Sequence, residues 1–336
     1  MKIYRSLIQG GSREKTSMLP EIKNKELFPR DATQRFAAAV VVMIFILGGV
    51  PADAATQQKG FATPEDAVKA FATALKSDDE QELLSIFGPA GKELISSGDP
   101  VRDKQRRGMF ISDYDRKNSI TPEGSKMVLV VGEKDWPFPI PLVKKGDQWI
   151  FDTQAGKEEI LNRRIGENEL DTVQTLLAIV DAQREYAMKD RDNDGIHQYA
   201  EKFGSDPGKK NGLYWETKEG EEPSPLGELV ADARAEGYTR TGSKQGPIPF
   251  HGYYFRMLKK QGKHAPGGAF DYIAKNKMIG GFAVVAYPAV YGNSGVMTFM
   301  VNHAGVVYEK DLGKNTAATA KAMTSFDPDK TWKKAE

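Results

Sequence analysis

The residues with the most specific chemistry form a loop of 12 residues, 190–201. Oxygen-bearing groups recur in it at the spacing that a hard cation requires, and the candidate metal ligands are Asp190, Asp192, Asp194, Ile196 and Glu201. The aspartates supply carboxylate oxygens from one side of a tight coil, Ile196 supplies a backbone carbonyl, and Glu201 coordinates through both oxygens. Gly195 permits the sharp turn between them. This spacing predicts a bound calcium ion as the cofactor.

The loop fits the EF-hand pattern D-x-D-x-D-G-x5-E without a mismatch, but its surroundings depart from a full EF-hand. The eighth position is His197, where a hydrophobic residue is usual, and Gly204 and Pro207 follow too soon for a normal exiting helix. The sequence has no second loop with which it could pair. We therefore expect a single EF-like calcium loop with a structural role. The alternative is a turn of Asp, Asn and Gly residues that holds no metal.

The other groups that could do chemistry are scattered. The four histidines, His197, His251, His264 and His303, fall in predicted turns or at strand ends, and no two have the spacing of a helical zinc site. A convergence of His251, His264 and His303 in the folded chain stays open. Ser294 lies in a Gly-Asn-Ser-Gly turn, which is not a nucleophile elbow. The sequence predicts no catalytic residue.

The loop follows a long predicted helix in the second half of the chain. Residues 157–189 have helical composition, and apolar residues at helical spacing predict a core-facing stripe of Leu170, Val173, Leu176, Leu177 and Val180. Runs rich in β-branched and aromatic residues then predict strands at 253–258, 281–287, 296–301 and 306–308. Tight turns between the last three predict an antiparallel meander. We expect a domain over 157–336 in which the long helix packs on this sheet.

The region before the long helix predicts helices followed by an antiparallel sheet. Thr63 and Pro64 form a helix start, and the predicted elements are a helix from 63, helices over 79–87 and within 101–114, and strands at 126–131, 139–143 and 148–152. The fold class is therefore α+β, with a first domain over 55–156. This helix-then-sheet order resembles the cystatin-like or NTF2-like cone folds, which hold ligands or simply pack.

Residues 1–54 have the pattern of a secretory signal peptide. Basic residues precede an apolar run at 36–50, and Ala52 and Ala54 supply the small side chains that a signal peptidase accepts. We expect cleavage after Ala54 and a periplasmic or secreted location. The alternative is an uncleaved inner-membrane anchor through 36–50, because the length of that run is borderline for a membrane span.

The composition is that of a globular protein with no strong electrostatic preference. Of 336 residues, 40% are hydrophobic and 28% are charged, and 47 Lys and Arg against 46 Asp and Glu give a formal net charge of +1. This balance argues against nucleic acid as a partner. The sequence contains no cysteine, which excludes disulfides, thiolate catalysis and cysteine-ligated metals.

Several segments also resemble a known family. The segments 136–143, 151–166, 251–256 and 295–308 are similar to the secreted bacterial family called domain of unknown function 2950, over residues 60–333. This resemblance implies no established activity. The second half is distantly similar to the globular heads of type IV pilin-like proteins, but the hydrophobic stem of a pilin is missing.

These observations favour an exported cell-envelope protein with a non-enzymatic binding or structural role and one structural calcium loop. Its expected partner is an envelope protein or a glycan, and it touches the membrane only through the signal segment if that segment stays uncleaved. One alternative is a periplasmic hydrolase or a small-ligand-binding cone in the first domain. Another is a stemless pilin-like assembly partner.

Overall fold

The computed structural model describes residues 58–238 and 247–335, so the predicted signal peptide over 1–54 lies outside the described residues. The helices are α1 Pro64–Lys76, α2 Glu80–Phe87, α3 Lys92–Ile95, α4 Pro100–Arg116, α5 Thr153–Ala187, α6 Gly227–Ala235 and α7 Thr316–Ala322. The strands are β1 Asn118–Glu123, β2 Lys126–Val131, β3 Trp136–Pro137, β4 Leu142–Lys145, β5 Gln148–Phe151, β6 Tyr253–Leu258, β7 Lys260–Gln261, β8 Phe270–Asp271, β9 Ile273–Ala274, β10 Lys277–Met278, β11 Ala283–Pro288, β12 Met297–Asn302, β13 Tyr308–Asp311 and β14 Lys333–Lys334. The predicted α+β class is confirmed.

The first helices begin where their capping residues predict. Thr63 caps α1 by accepting the backbone N–H of Asp66 at 3.1 Å, and Pro64 occupies the first helical position. Asp79 caps α2 in the same way, accepting the N–H of Glu82 at 2.9 Å. These contacts satisfy donors that have no partner inside the helix. The helix starts predicted at both places are confirmed.

The sheet that follows is antiparallel, with strand order β1-β2-β4-β5, and β3 pairs with β2. The strand predicted at 139–143 was misplaced, because the structure forms β4 at Leu142–Lys145 instead. Pro139 and Pro141 have no N–H to give to a strand partner, so regular pairing begins only after them. Strand β1 was not predicted, because its sequence is polar and its residues are mostly exposed.

Helix α5 is 35 residues long and extends across two hydrophobic cores. We call residues 58–165 the amino-terminal lobe and residues 172–335 the carboxy-terminal lobe. Leu176 and Val180 are buried in the second core, as predicted. The prediction that Leu170 also faces the core is wrong, because Leu170 is 58% exposed. Leu170 lies two positions from the buried Asn168 and Thr172, so at about 100° per residue it faces the opposite side of the helix.

The carboxy-terminal lobe is built on a five-stranded antiparallel sheet with the order β14-β13-β12-β11-β6. The predicted meander is confirmed as β11, β12 and β13. All six residues of β11 are buried, because α7 contacts this strand and α5 also packs on the sheet. Within the described residues, no helix is both long and apolar enough to cross a membrane.

Two glycines of α5 offer a matched test of the packing between this helix and the segment that joins β3 to β4. A Cβ at Gly156 would overlap the backbone carbonyl of Pro139, whereas a Cβ at Gly166 would meet nothing within 4 Å. Gly156→Ala should therefore lower the free energy of unfolding by about 1–3 kcal/mol or more. Gly166→Ala should raise it by about 0.5–1 kcal/mol, because alanine favours a helix interior. Urea unfolding measures both, and equal effects would contradict this packing.

Candidate functional site

The three aspartates of the predicted calcium loop come together in the structure. One carboxylate oxygen from each of Asp190, Asp192 and Asp194 lies within 4.8 Å of the others. The backbone N–H of Gly195 donates to Asp190 at 2.7 Å, and this bond, with weaker ones from the N–H groups of Asp194 and Asp192, holds the pKa of Asp190 below its usual value. Gly195 has a φ of 83°, a conformation that glycine adopts without strain. Hydrogen bonds between residues of the loop itself thus support the coil.

Lys277, from β10, supplies positive charge to this acidic cluster. Its Nζ lies 2.7 Å from Oδ2 of Asp192 and also contacts Asp194. The hydrogen bonds to Asp192 and Asp194 raise the pKa of Lys277, and the same ammonium lowers the pKa of Asp194. A calcium ion bound here would compete with this ammonium for the same oxygens.

The remaining predicted ligands have other contacts. Oε2 of Glu201 pairs with Nζ of Lys259 at 2.5 Å, and Glu201 does not belong to the acidic group that the described residues form. The backbone N–H of Ile196 donates to Asp194 at 3.1 Å. No helix forms in the described residues 201–226, in agreement with the breaks expected from Gly204 and Pro207.

Arg191 anchors the loop to the carboxy-terminal lobe. Its guanidinium lies over the rings of Tyr186 and Trp215, at 4.6 and 5.0 Å from their centroids. It also donates to the carbonyl of Tyr186 and pairs with Glu222 at 3.3 Å. Cation–π contacts and an ion pair thus hold the second position of the loop.

The histidines do not converge within the described part of the chain. His251 pairs with Glu236 at 2.7 Å, and His264 pairs with Asp327 at 3.1 Å. His303 lies edge-on to the ring of Tyr272, where burial lowers its pKa. The three-histidine site that the sequence left open is therefore absent from the described residues.

The amino-terminal lobe contains a cavity of about 470 Å³ that is partly open to solvent and that the sequence did not predict. Most of its wall is aromatic or aliphatic: Phe71, Leu75, Leu83, Phe87, Leu94, Ile95, Phe110, Val131, Trp136, Phe138, Ile140 and Ile160. These side chains come from α1, α2, α3, α4, α5, β2, β3 and the segment after β3. Helices on one side and a sheet on the other thus leave an apolar space between them.

Two helices add charged groups to this wall. These groups are Asp103, Arg106, Arg107, Asp113, Arg163, Arg164 and Glu167. On α4, residues 103, 106, 107, 110 and 113 follow helical spacing, as do residues 160, 163, 164 and 167 on α5. This repeated spacing of charged and apolar side chains on one face is the sequence signal that could have located the site.

Most of these charges are paired. Arg102 and Arg106 donate to Glu167 at 2.8 and 2.9 Å. Burial raises the pKa of Glu167, but the hydrogen bond and charge of Arg106 and the charge of Arg102 outweigh it, so that pKa lies below its usual value. Arg107 pairs with Asp78 outside the cavity at 2.8 Å.

Arg163 and Arg164 are neighbours with different surroundings. Arg163 pairs with Glu159 at 2.7 Å and lies over the ring of Trp136. Arg164 is only 6% exposed and donates to the backbone carbonyls of Glu93 and Leu94 at 2.6 and 2.7 Å. It also donates to the side-chain oxygen of Asn293, which joins the two lobes. Burial lowers the pKa of Arg164 to about 10, so the group stays charged at neutral pH.

A comparison with protein families matches residues 58–335 to the family described as "Protein of unknown function (DUF2950)". Comparisons with curated proteins and with solved structures give no match. The likenesses to cystatin-like or NTF2-like cones and to pilin-like heads stay predictions.

Proposed function

Because the chain belongs to the DUF2950 family, whose function is unknown, its own site has to indicate its function. We propose that it is an exported cell-envelope protein whose amino-terminal lobe binds a small, largely apolar ligand without transforming it.

The export part of this proposal rests on the signal-peptide pattern over 1–54. The intact mass of the protein isolated from the producing cell tests it. A chain that begins at Ala55 supports export, and a chain that still contains residues 1–54 contradicts cleavage after Ala54.

The observation that carries the binding function is the cavity itself. Its volume of about 470 Å³ falls within the range of roughly 300–1,000 Å³ that is typical of small-molecule sites. Apolar side chains form most of its wall, and a small number of charged groups accompany them. The cavity is partly open to solvent, so its apolar wall is in contact with water when no ligand is bound, and removing that apolar surface from water is favourable. A ligand with an apolar body would cover this wall and gain the free energy of that burial.

The chemistry of the wall supports binding over hydrolysis. Among the described residues that line the cavity there is no histidine and no serine, threonine or tyrosine hydroxyl. Of its carboxylates, Glu167 has a lowered pKa and is held by Arg102 and Arg106, which keeps it ionised and unsuited to donating a proton. The wall thus offers apolar surface and fixed charge, which are the means of recognising a ligand.

Titration with N-phenyl-1-naphthylamine tests this function, because its fluorescence rises in an apolar surrounding. The purified protein should give a saturable increase with one probe bound per chain. The same titration in urea, above the unfolding midpoint, is the control and should give no saturable signal. A linear increase without saturation in the folded protein would remove the support for a binding cavity.

The acidic cluster favours a second candidate role, a structural calcium loop. Its support is that Asp190, Asp192 and Asp194 converge within 4.8 Å at a loop with EF-hand spacing. Calcium that binds only the folded chain should add about 2.7 kcal/mol to the free energy of unfolding at a hundredfold excess over Kd. We expect the melting temperature to rise with calcium over chelator, and Asp190→Ala to abolish the rise.

Lys277 gives that calcium experiment an internal check. Because its ammonium contacts two of the three aspartates, Lys277→Met should lower the melting temperature in chelator and enlarge the rise produced by calcium. Lys263→Met, at an exposed position outside the cluster, is the matched control and should change neither. If calcium changes the melting temperature of neither the wild type nor Lys277→Met, the loop is an acidic turn that pairs with a lysine and holds no metal.

A further inference from the structure

Arginine is the most frequent charged residue of the cavity wall. The wall includes the guanidinium groups of Arg106, Arg107, Arg163 and Arg164 and the carboxylates of Asp103, Asp113 and Glu167. Arg107 and Arg163 also have acidic partners of their own, Asp78 and Glu159. The charge that lacks a direct partner must therefore be sought on Arg106 or Arg164.

Arg164 is the buried cation without a carboxylate in contact. Within the described residues its hydrogen bonds go to neutral oxygens, those of the Glu93 and Leu94 backbone and the Asn293 side chain. The carboxylates of Asp103 and Glu93 attract it from a greater distance, and Arg106 repels it. Asp103 is itself buried and accepts the N–H of Ser97 at 2.8 Å. A buried charge is normally compensated by direct contact with an opposite charge.

Three guanidinium nitrogens of the wall residues are buried without a hydrogen-bond partner in the part of the chain that the structure describes, and one of them, Nε of Arg107, lies 2.8 Å from the carboxylate of Asp78. Nε of Arg164 and Nη1 of Arg106 are buried and have no hydrogen-bond partner among the described residues. The other nitrogens of Arg106 donate to Glu167 and to the side-chain oxygen of Asn168 at 2.8 Å. Buried donors in folded proteins rarely stay unsatisfied. Protein atoms cover Nε of Arg164 and Nη1 of Arg106, so an acceptor in the cavity would be reached through a rotation of the arginine side chain.

From this charge and these donors we infer that the ligand is an amphipathic monoanion, an apolar body that ends in a carboxylate held by Arg106 and Arg164. The inference rests on the proposed function of the same cavity. A neutral apolar ligand would displace water from the guanidinium groups without offering them a hydrogen-bond acceptor or a negative charge, which is unfavourable. One carboxylate would give Arg164 the direct counter-charge that it lacks, and its two oxygens can accept from both arginines in short, charge-assisted hydrogen bonds.

Two fluorescent probes that share one apolar body separate the two claims. N-phenyl-1-naphthylamine is neutral, and 8-anilino-1-naphthalenesulfonate has the same rings with an anionic sulfonate. The anionic probe should bind the wild type at least about tenfold more tightly than the neutral one, the effect of one charge-assisted contact. Dodecanoate should displace it at lower concentrations than dodecanol does, which extends the preference from a sulfonate to a carboxylate.

Arginine variants assign the headgroup contact. Arg106→Gln should remove most of the preference for the anionic probe and leave the Kd of the neutral probe within about twofold. Lys104→Gln removes the same charge from an exposed position on α4 and should leave both values unchanged. Arg164→Lys keeps the charge but loses the planar guanidinium, so it should weaken the preference less than Arg106→Gln does. Thermal unfolding of each variant establishes that it is folded.

The outcomes distinguish the inference from the function on which it rests. Saturable binding of both probes with equal Kd in the wild type would overturn the anionic headgroup and leave the apolar cavity standing. No saturable binding of either probe would overturn both. A preference for the anionic probe that survives in Arg106→Gln and in Arg164→Lys would overturn the assignment to these two arginines.

Discussion

Replacing Phe71 with alanine should lower the free energy of unfolding by about 3–5 kcal/mol. Phe71 is only 4% exposed, and its ring centroid lies 5.2–5.5 Å from those of Phe87, Phe110, Phe138 and Phe151. Such edge-on and tilted contacts add to the energy of burial. Urea unfolding followed by circular dichroism measures this loss.

Phe270→Ala is the matched control for this loss. Phe270 lies on β8 in the carboxy-terminal lobe and is 40% exposed, so the same change should cost about 1 kcal/mol or less. A loss for Phe71→Ala no larger than that for Phe270→Ala would show that the aromatic cluster does not hold the amino-terminal lobe together.

Replacing Leu94 with tryptophan should raise the Kd of N-phenyl-1-naphthylamine by about tenfold or more, which corresponds to about 1.4 kcal/mol of lost binding energy. Leu94 lines the cavity and is half-buried, so the larger indole can enter the empty space. The stability of the folded protein should stay the same or increase, because the change fills a void instead of overpacking a close-packed core. Fluorescence titration and thermal unfolding measure the two effects.

Leu170→Trp is the matched control, because it makes the same substitution on the exposed surface of α5. Leu170 is 58% exposed on α5 and does not belong to the cavity wall, so its variant should bind the probe like the wild type. Unchanged probe binding in both variants would place the probe elsewhere. A fall in stability of Leu94→Trp would show that its indole does not enter the cavity.

The parts of the fold that the sequence predicts are those with local causes. The starts of α1 and α2 follow from Thr63 and Asp79, which satisfy helix donors a few residues away. The meander of the second sheet follows from runs of apolar residues separated by short turns. Strand β1 was missed because its residues are polar and mostly exposed, although it pairs with β2 across a two-residue turn. The start of β4 was misplaced because Pro139 and Pro141 have no N–H to give to a strand partner.

The candidate sites divide in the same way. The convergence of Asp190, Asp192 and Asp194 follows from their spacing within one loop, but the ammonium of Lys277 reaches it from more than 80 residues along the chain. The cavity needs five helices and two strands to close, which no local pattern specifies. The spacing of Asp103, Arg106, Arg107, Phe110 and Asp113 on one face of α4 was nevertheless readable in the sequence.

The most direct test of the central claim is to locate the bound probe within the protein. With isoleucine methyl groups labelled for nuclear magnetic resonance, N-phenyl-1-naphthylamine should shift the resonances of Ile95, Ile140 and Ile160, which line the cavity. The methyl groups of Ile179 and Ile273 lie in the carboxy-terminal lobe and should stay unchanged. Shifts confined to Ile179 and Ile273, with none at the three cavity isoleucines, would contradict the proposed site.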